Sequence, residues 1–137
     1  MSDNLFVDTN IFVYSVADDL RKRAVAEELL MRDGIVISPQ VISEFVAVTL
    51  RKRILEPEKV TEYARKFLEV FQVTVIAAGT IATALDIMTK YQFSWWDSLI
   101  LAAALESSCS VVYSEDMQAG QVIEDRLTIV NPFVSEG

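Results

Sequence analysis

The feature that most constrains the fold is an alternation of short apolar segments with longer segments of helical periodicity. The short segments are apolar and mostly β-branched, which predicts strands, and the longer ones predict helices. We expect strands at 4–8, 35–38, 72–77, 110–114 and 127–130, and helices at 20–32, 39–53, 57–71, 80–91 and from about Ser94 onward.

Strands that are apolar on both faces belong to a parallel sheet that helices cover on both sides. Because crossovers between parallel strands are right-handed, the pattern predicts a three-layer α/β/α sandwich with a central parallel sheet of about five strands. No linker, repeat or low-complexity stretch interrupts the pattern, so we predict a single domain over residues 1–137.

The residues that the chain lacks exclude several kinds of chemistry. There is no histidine, which excludes triads with a His base and His-ligated zinc sites. Cys109 is the only cysteine, so it cannot form an internal disulfide, and its apolar neighbours predict a buried small hydrophobe. Any enzymatic chemistry must rely on carboxylates, hydroxyls, Lys, Tyr or that one thiol.

The net charge is −8, from 12 basic and 20 acidic residues. A nucleic-acid-binding protein usually has the opposite balance, which argues against a protein that coats polyanions but not against an enzyme whose acids surround cations. No apolar run reaches the roughly 18 residues of a membrane span, and the N-terminus lacks the pattern of a secretory signal. We therefore expect no membrane association and a cytoplasmic location.

Four acids are placed where this fold class usually has its functional crevice, at the carboxyl ends of strands near a reversal of strand order. Asp8 ends the first predicted strand, and Asp116 follows the strand that ends near Tyr113. Asp97 lies in the first turn of the helix that leads into that strand, and Glu44 lies among apolar residues of the helix after the second strand.

Each acid also has an ordinary structural explanation. Asp8 could form an Asx turn that caps the next helix, Asp97 could complete a capping motif with Ser94, Asp116 could be a turn residue and Glu44 a solvated helix residue. Carboxylates repel one another, however, and gather in one crevice only where a cation holds them. An oxygen-only set suits Mg²⁺ or Mn²⁺, and such sites hydrolyse phosphodiesters.

Several segments, in order, resemble PIN-domain proteins. They are "LFVDTNIFVY" with Asp8, "SPQVISEF" with Glu44, "FSWWDSLILAAAL" with Asp97, "VVYSEDMQAGQ" with Ser114 and Asp116, and the final "IVNPF". The order, the approximate spacing and the length all agree, so the resemblance covers nearly the whole chain. Within this family the chain is most similar to the VapC type of bacterial or archaeal toxin, from type II toxin–antitoxin systems.

The resemblance implies an endoribonuclease that depends on Mg²⁺ or Mn²⁺ and cleaves single-stranded or looped RNA. Asp8, Glu44, Asp97 and Asp116 would be its catalytic acids, of which the three aspartates are the expected direct metal ligands and Glu44 a ligand directly or through water. Thr9, Asn10 and Ser114 match polar positions that support the site. Members of this type form homodimers and are inhibited by a cognate VapB-type antitoxin protein.

Two basic triplets and a pair of tryptophans have two interpretations each. The triplets 21–23 and 51–53 could follow an RNA backbone, although solvated helix ends are the simpler interpretation. Trp95 and Trp96 could stack on bases, but at the start of an apolar helix we expect at least one of them to pack in the core or a dimer interface. The role of Glu115, next to Asp116, is open.

Two other functions remain as alternatives. The first is a catalytically inactive PIN-like module that binds RNA or a protein, although such a module has no need to retain four acids. The second is a Mg²⁺-dependent phosphatase or a phosphoacceptor domain on a similar sheet. A haloacid-type phosphatase would carry Asp two residues after Asp8, where this chain has Asn10. The acidic pair and later lysine of a receiver domain are also missing.

Overall fold

The computed structural model describes residues 4–134, so the outermost residues of the predicted domain, 1–3 and 135–137, lie outside the described residues. Its strands are β1 (Leu5–Val7), β2 (Ile35–Ile37), β3 (Gln72–Val73), β4 (Val111–Tyr113), β5 (Val122–Ile123) and β6 (Leu127–Val130). Its helices are α1 (Thr9–Tyr14), α2 (Leu20–Leu30), α3 (Pro39–Arg51), α4 (Pro57–Val70), α5 (Ala78–Tyr91) and α6 (Trp95–Glu106).

The strands form one sheet in the order β3-β2-β1-β4-β6-β5. All neighbouring pairs are parallel except β5 and β6, which are antiparallel. The predicted α/β architecture with a central, largely parallel sheet and flanking helices is therefore confirmed. The described sheet has six strands rather than about five, because the two residues of β5 pair with β6 at the edge.

The third predicted strand is shorter than expected. Residues 72–77 were expected to be extended, yet only Gln72 and Val73 pair in the sheet. The reason is that β3 lies at the sheet edge and has a partner on one side alone. Val75 is 76% exposed, so its β-branched side chain does not contribute to burial. Helix α5 also begins earlier than predicted, at Ala78.

Helix α6 is the most deeply buried helix of the described chain. Every residue from Ser98 to Leu105 is buried, and burying each large aliphatic side chain stabilises the fold by roughly 1.5–3 kcal/mol. The predicted cap at its start is confirmed, because the Ser94 side chain accepts a hydrogen bond from the backbone N–H of Asp97 at 3.2 Å. This helix therefore holds Asp97 on a rigid element.

The start of α3 agrees only in part with the sequence-based expectation. Ser38 is the N-cap residue and Pro39 lies in the first turn, as predicted, but the Ser38 side chain makes no capping hydrogen bond. Its hydroxyl is buried and has no hydrogen-bond partner among residues 4–134.

Cys109 is buried as expected, and burial raises the pKa of its thiol to about 12. No helix within residues 4–134 has the length and apolarity to cross a membrane.

Candidate acidic active site

The site lies where the order of the strands reverses. Strands β2 and β3 lie on one side of β1, whereas β4, β6 and β5 lie on the other. Because β1 and β4 are parallel and in register up to Val7 and Tyr113, the chain leaves both strands at the same edge of the sheet. In open α/β sheets this position forms a crevice for ligands.

A cleft of about 370 Å³ occupies this position. The structure brings the four acids expected from the sequence into this cleft, together with Glu115. Two of the expected supporting residues, Thr9 and Asn10, also line it, and its other wall is formed by Val13, Tyr14, Ala17, Val48, Lys52 and Ile54. We call this the acidic cleft.

Asp8 is the most buried acid of the cleft, with 6% of its surface exposed. It caps α1, since its Oδ1 accepts a hydrogen bond from the Thr9 N–H at 2.7 Å, while its Oδ2 accepts one from the Ser114 hydroxyl at 2.8 Å. Burial raises the pKa of Asp8 to about 7, although these two hydrogen bonds lower it in part. The charges of Asp97 and Glu44 make smaller contributions to this rise.

Glu44 is half-buried and faces Asp8 from α3, so the ordinary interpretation of a solvated helix residue is wrong. Its Oε2 accepts hydrogen bonds from the Thr9 hydroxyl at 3.2 Å and from the Gln40 side-chain amide at 3.3 Å. Burial raises the pKa of Glu44, the two hydrogen bonds lower it, and the charge of Asp97 raises it. The hydrogen bonds that Thr9 and Gln40 donate to Oε2 both favour the ionised form of Glu44.

Asp97 has a dual role at the start of α6. Its backbone N–H is capped by Ser94, and its carboxylate faces the acidic cleft. Burial raises the pKa of Asp97, a hydrogen bond with the Ser94 side chain lowers it, and the charge of Asp116 raises it. A first-turn acid is also favoured by the helix dipole, so the capping and cleft interpretations are compatible.

Asn10 connects the two strand ends. Its Nδ2 lies 3.1 Å from Oδ2 of Asp116, 3.4 Å from Oδ2 of Asp8 and 3.4 Å from the Ser114 hydroxyl oxygen. Its Oδ1 accepts a hydrogen bond from the Glu115 N–H at 3.2 Å. The buried Ser114 hydroxyl accepts a further hydrogen bond from the Asp116 N–H at 3.2 Å. Two of the expected supporting residues, Asn10 and Ser114, thus make the contacts that hold the exposed Asp116 near Asp8.

Glu115 is separated from the other acids by its partners. Its carboxylate forms an ion pair with Lys22 and accepts a hydrogen bond from the Tyr14 hydroxyl at 2.5 Å. Burial raises the pKa of Glu115, but the hydrogen bonds from Lys22 and Tyr14 outweigh it and bring the pKa below its ordinary value. This carboxylate is therefore already neutralised by the chain itself.

The donor chemistry of the cleft fits a hard cation, although the acids do not form a closed ligand cage. Within residues 4–134, no three His, Cys, Asp or Glu side chains lie close enough together to form a ready-made metal site. The charges of Asp97 and Glu44 nevertheless raise the pKa of Asp8, and the charge of Asp97 raises the pKa of Glu44. A cation among these oxygens would relieve both that repulsion and the cost of burying Asp8.

Sequence reasoning missed three residues that contact the acids. The contact of Gln40 with Glu44 could have been predicted, because Gln40 lies one helical turn before Glu44. Gln40 also donates a hydrogen bond to the Trp96 carbonyl at 3.1 Å. Tyr14 and Lys22 gave no sequence signal, since their partner Glu115 is distant in the chain. Of the two tryptophans, Trp95 packs against the core, as expected for at least one of them, and Trp96 is 60% exposed.

Together the fold and cleft define an α/β domain with an all-oxygen acidic site at the switch point of its sheet. A family model described as the PIN domain matches residues 5–123. The chain therefore belongs to the PIN-domain family. A search of curated protein sequences found no match.

Solved structures of toxins and toxin–antitoxin complexes share the fold. VapC20 of Mycobacterium tuberculosis, described as a toxin that cleaves the sarcin–ricin loop, superposes with a TM-score of 0.68 at 17% identity, covering 82% of this chain and 92% of that one. A toxin–antitoxin complex from Klebsiella pneumoniae gives 0.68 at 19% identity, covering 94% and 97%. VapBC2 of Rickettsia felis, bound to a promoter DNA fragment, gives 0.67 at 18%, covering 93% and 98%.

Proposed function

We propose that this chain is a Mg²⁺- or Mn²⁺-dependent endoribonuclease and the toxin of a toxin–antitoxin pair. The observation that carries the proposal is the convergence of Asp8, Glu44, Asp97 and Asp116 on one cleft of a PIN-domain fold. The similarity to a toxin described as cleaving the sarcin–ricin loop supports RNA as the substrate.

In this proposal, Asp8, Asp97 and Asp116 would hold the cation directly, and Glu44 directly or through water. Bound Mg²⁺ or Mn²⁺ would supply the Lewis acidity for hydrolysis of the phosphodiester. The chain contributes the positions of these oxygens. Oε2 of Glu44 is occupied by Thr9 and Gln40, which leaves Oε1 as the oxygen that can bind a ligand or accept a proton.

The experiment that tests this proposal is an RNA cleavage assay. The purified protein would be incubated with a structured RNA and Mg²⁺ or Mn²⁺, beside the D8N and D97N variants and a chelator control. We expect cleavage by the wild type only, and only with the metal. Cleavage that persists in the variants or in chelator would contradict the metal-dependent mechanism. Hydrolysis of small phosphate esters without RNA cleavage would instead indicate a phosphatase, and RNA binding without cleavage an inactive module.

The proposed partner is a VapB-type antitoxin, because two of the structural neighbours are toxin–antitoxin assemblies. A short reading frame directly upstream of this one, encoding a small protein with an antitoxin-like tail, is the first observation to seek. Co-expression with that protein should suppress cleavage. An absent frame would contradict the toxin role but not the chemistry.

We also propose that the chain forms a homodimer. Ile81 and Leu85, one helical turn apart on α5, are 37% and 48% exposed. Apolar side chains that share one exposed helix face are a common feature of interfaces. Light scattering after size-exclusion chromatography should give twice the chain mass of 15.4 kDa, and I81D with L85D should give a monomer. A monomeric wild type would contradict this part of the proposal.

A further inference from the structure

The two basic triplets differ in whether their side chains already have partners within the chain. In the first, all three side chains are engaged: Lys22 pairs with Glu115, Arg23 pairs with Glu27 at 2.9 Å, and Arg21 donates a hydrogen bond to the Phe133 carbonyl at 3.0 Å. The contacts of Lys22 and Arg21 fix α2 against other parts of the chain, and the Arg23–Glu27 pair lies within the helix. The interpretation of the first triplet as a structural helix start is therefore favoured over RNA binding.

The second triplet is not engaged in this way. Arg51, Lys52 and Arg53 are exposed, and none of their side chains forms a hydrogen bond or an ion pair within residues 4–134. Lys52 is the one member of this triplet that lines the acidic cleft. It also remains unpaired although the same cleft contains five carboxylates.

The position of Lys52 follows from the helix that carries Glu44. Glu44, Val48 and Lys52 are spaced by four residues, so they lie along one face of α3 and its C-cap, and all three line the cleft. At a rise of about 1.5 Å per residue, Lys52 lies about 12 Å along this face from Glu44. The cleft thus has acids at one end and an unpaired cation at the other.

This separation of charge suits a polyanionic strand. Val13, Ala17 and Val48 add uncharged apolar surface to the same cleft. The acids can accommodate a phosphate only with a bound cation, whereas Lys52 can bind a phosphate directly. The separation of about 12 Å along α3 favours a neighbouring phosphate over the scissile one as its target.

We propose that Lys52 binds a phosphate of the RNA strand that flanks the scissile one, and so fixes the direction of the strand along the acidic cleft. This inference rests on the proposed function, because it assumes that RNA is the substrate. Lys52 would be a substrate-binding residue that acts before the chemical step. Arg51 and Arg53 would add charge near the cleft without lining it.

The test compares K52M with K52R and with K59M, a matched control. Lys59 is an exposed lysine of α4 that pairs with Glu62 at 3.3 Å and does not line the cleft. With the RNA that the wild type cleaves, K52M should raise KM about 3- to 10-fold and leave kcat unchanged, as expected for uniform binding. K52R and K59M should resemble the wild type.

A second measurement distinguishes failure of this inference from failure of the proposed function. Binding of a short fluorescein-labelled oligouridylate by the D97N variant, with Mg²⁺ present, would be followed by fluorescence anisotropy over a range of salt concentrations. Adding K52M should reduce the slope of log Kd against log salt by about 0.7, the value for one single-strand phosphate contact. This binding measurement does not require cleavage, so it tests Lys52 even if the RNA cleavage assay fails.

Four outcomes would overturn the inference. The first is a K52M variant whose KM and salt slope equal those of the wild type. The second is a loss of kcat at constant KM, which would assign Lys52 to the chemistry. The third is weaker binding of the antitoxin with unchanged RNA binding, which would assign Lys52 to a protein partner. A similar loss in K59M would show a general charge effect and would also overturn it.

Discussion

The side chain of Asn10 lies 3.1 Å from the carboxylate of Asp116, a residue 106 positions later in the sequence. The same Nδ2 lies 3.4 Å from Oδ2 of Asp8. One amide group therefore stands between two acids that would otherwise repel each other across the ends of β1 and β4. Its hydrogen atoms are donated toward both carboxylates, which holds them ready for a shared ligand.

Replacement of Asn10 should therefore weaken the cation site without unfolding the protein. We expect N10A to lower Mg²⁺ affinity and RNA cleavage by about 10- to 100-fold, the usual effect of losing an outer contact of a metal site. N131A is the control, since within residues 4–134 the Asn131 side chain accepts a hydrogen bond only from the nearby Phe133 N–H at 2.9 Å. Titration calorimetry with Mg²⁺ would measure the affinity. Equal effects in the two variants would contradict this role.

Stability should depend on pH through Asp8. Its pKa is about 7 in the folded protein, against an ordinary value of 3.8, so the folded state binds the proton more tightly than the unfolded state. The stability that this proton confers is present below about pH 4 and is lost as pH rises through about 7. Asparagine cannot ionise, so without metal D8N should gain stability over the wild type across this range, by up to about 4 kcal/mol.

Urea unfolding in chelator at a series of pH values would measure this difference. D86N is the matched control, because Asp86 is an exposed acid of α5 outside the acidic cleft. The stability of D86N relative to the wild type should not rise with pH as that of D8N does. A D8N difference that stays flat between pH 4 and 7 would refute the assignment. Added Mg²⁺ should stabilise the wild type more than D8N.

Asp97 should matter far more for activity than for stability. Its cap contact uses the backbone N–H, which D97N retains, and the apolar residues behind it keep α6 buried. We expect D97N to reduce kcat/KM by at least about 100-fold, beyond the usual loss for an outer contact, and to change the free energy of unfolding by less than about 1 kcal/mol.

The complementary variant is S94A, in which the cap acceptor is lost. S94A should cost about 1 kcal/mol of stability and retain more activity than D97N. Denaturant titrations followed by circular dichroism, together with RNA cleavage rates, would compare the two. If D97N unfolds the protein as much as S94A does, Asp97 is chiefly a structural cap.

Substitutions of Glu115 and Asp116 should also differ in their effects on stability and on activity, although the two residues are neighbours. Glu115 pairs with Lys22 and Tyr14, whereas Asp116 is exposed in the cleft beside Asn10. E115Q should lower stability slightly, because it leaves Lys22 without its counter-charge, and should change cleavage by only a few fold. D116N should leave stability nearly unchanged and abolish most cleavage. Equal loss of Mg²⁺ affinity in both variants would show that Glu115 is also a ligand.

The sequence was sufficient for those parts of the fold that depend on local pattern. The strand ends at Asp8 and near Asp116 could be predicted because a buried apolar run stops there, and Ser94 could be predicted as a cap from its spacing to Asp97. The Ser38 side chain does not cap α3, and β5 was not predicted, since two residues carry too little periodicity to indicate a strand.

Contacts between distant segments could not be predicted. The partner of Glu115 is Lys22, 93 positions away, and nothing near either residue indicates the pairing. The two basic triplets look alike as sequence, and only their different surroundings distinguish them. The burial that raises the pKa of Asp8 likewise comes from the packing of several elements rather than from its neighbours in the chain.

The adjacency of Glu115 and Asp116 has a consequence for how this loop can change in evolution. The two residues lie in a bend after β4 and have different partners, because Glu115 pairs with Lys22 whereas Asp116 contacts Asn10. A single inserted or deleted residue between Ser114 and Met117 would move these side chains away from their partners. Surface loops usually tolerate length changes, but this one should accept substitutions more readily than insertions or deletions. A library of deletions scored for folding and cleavage would test this.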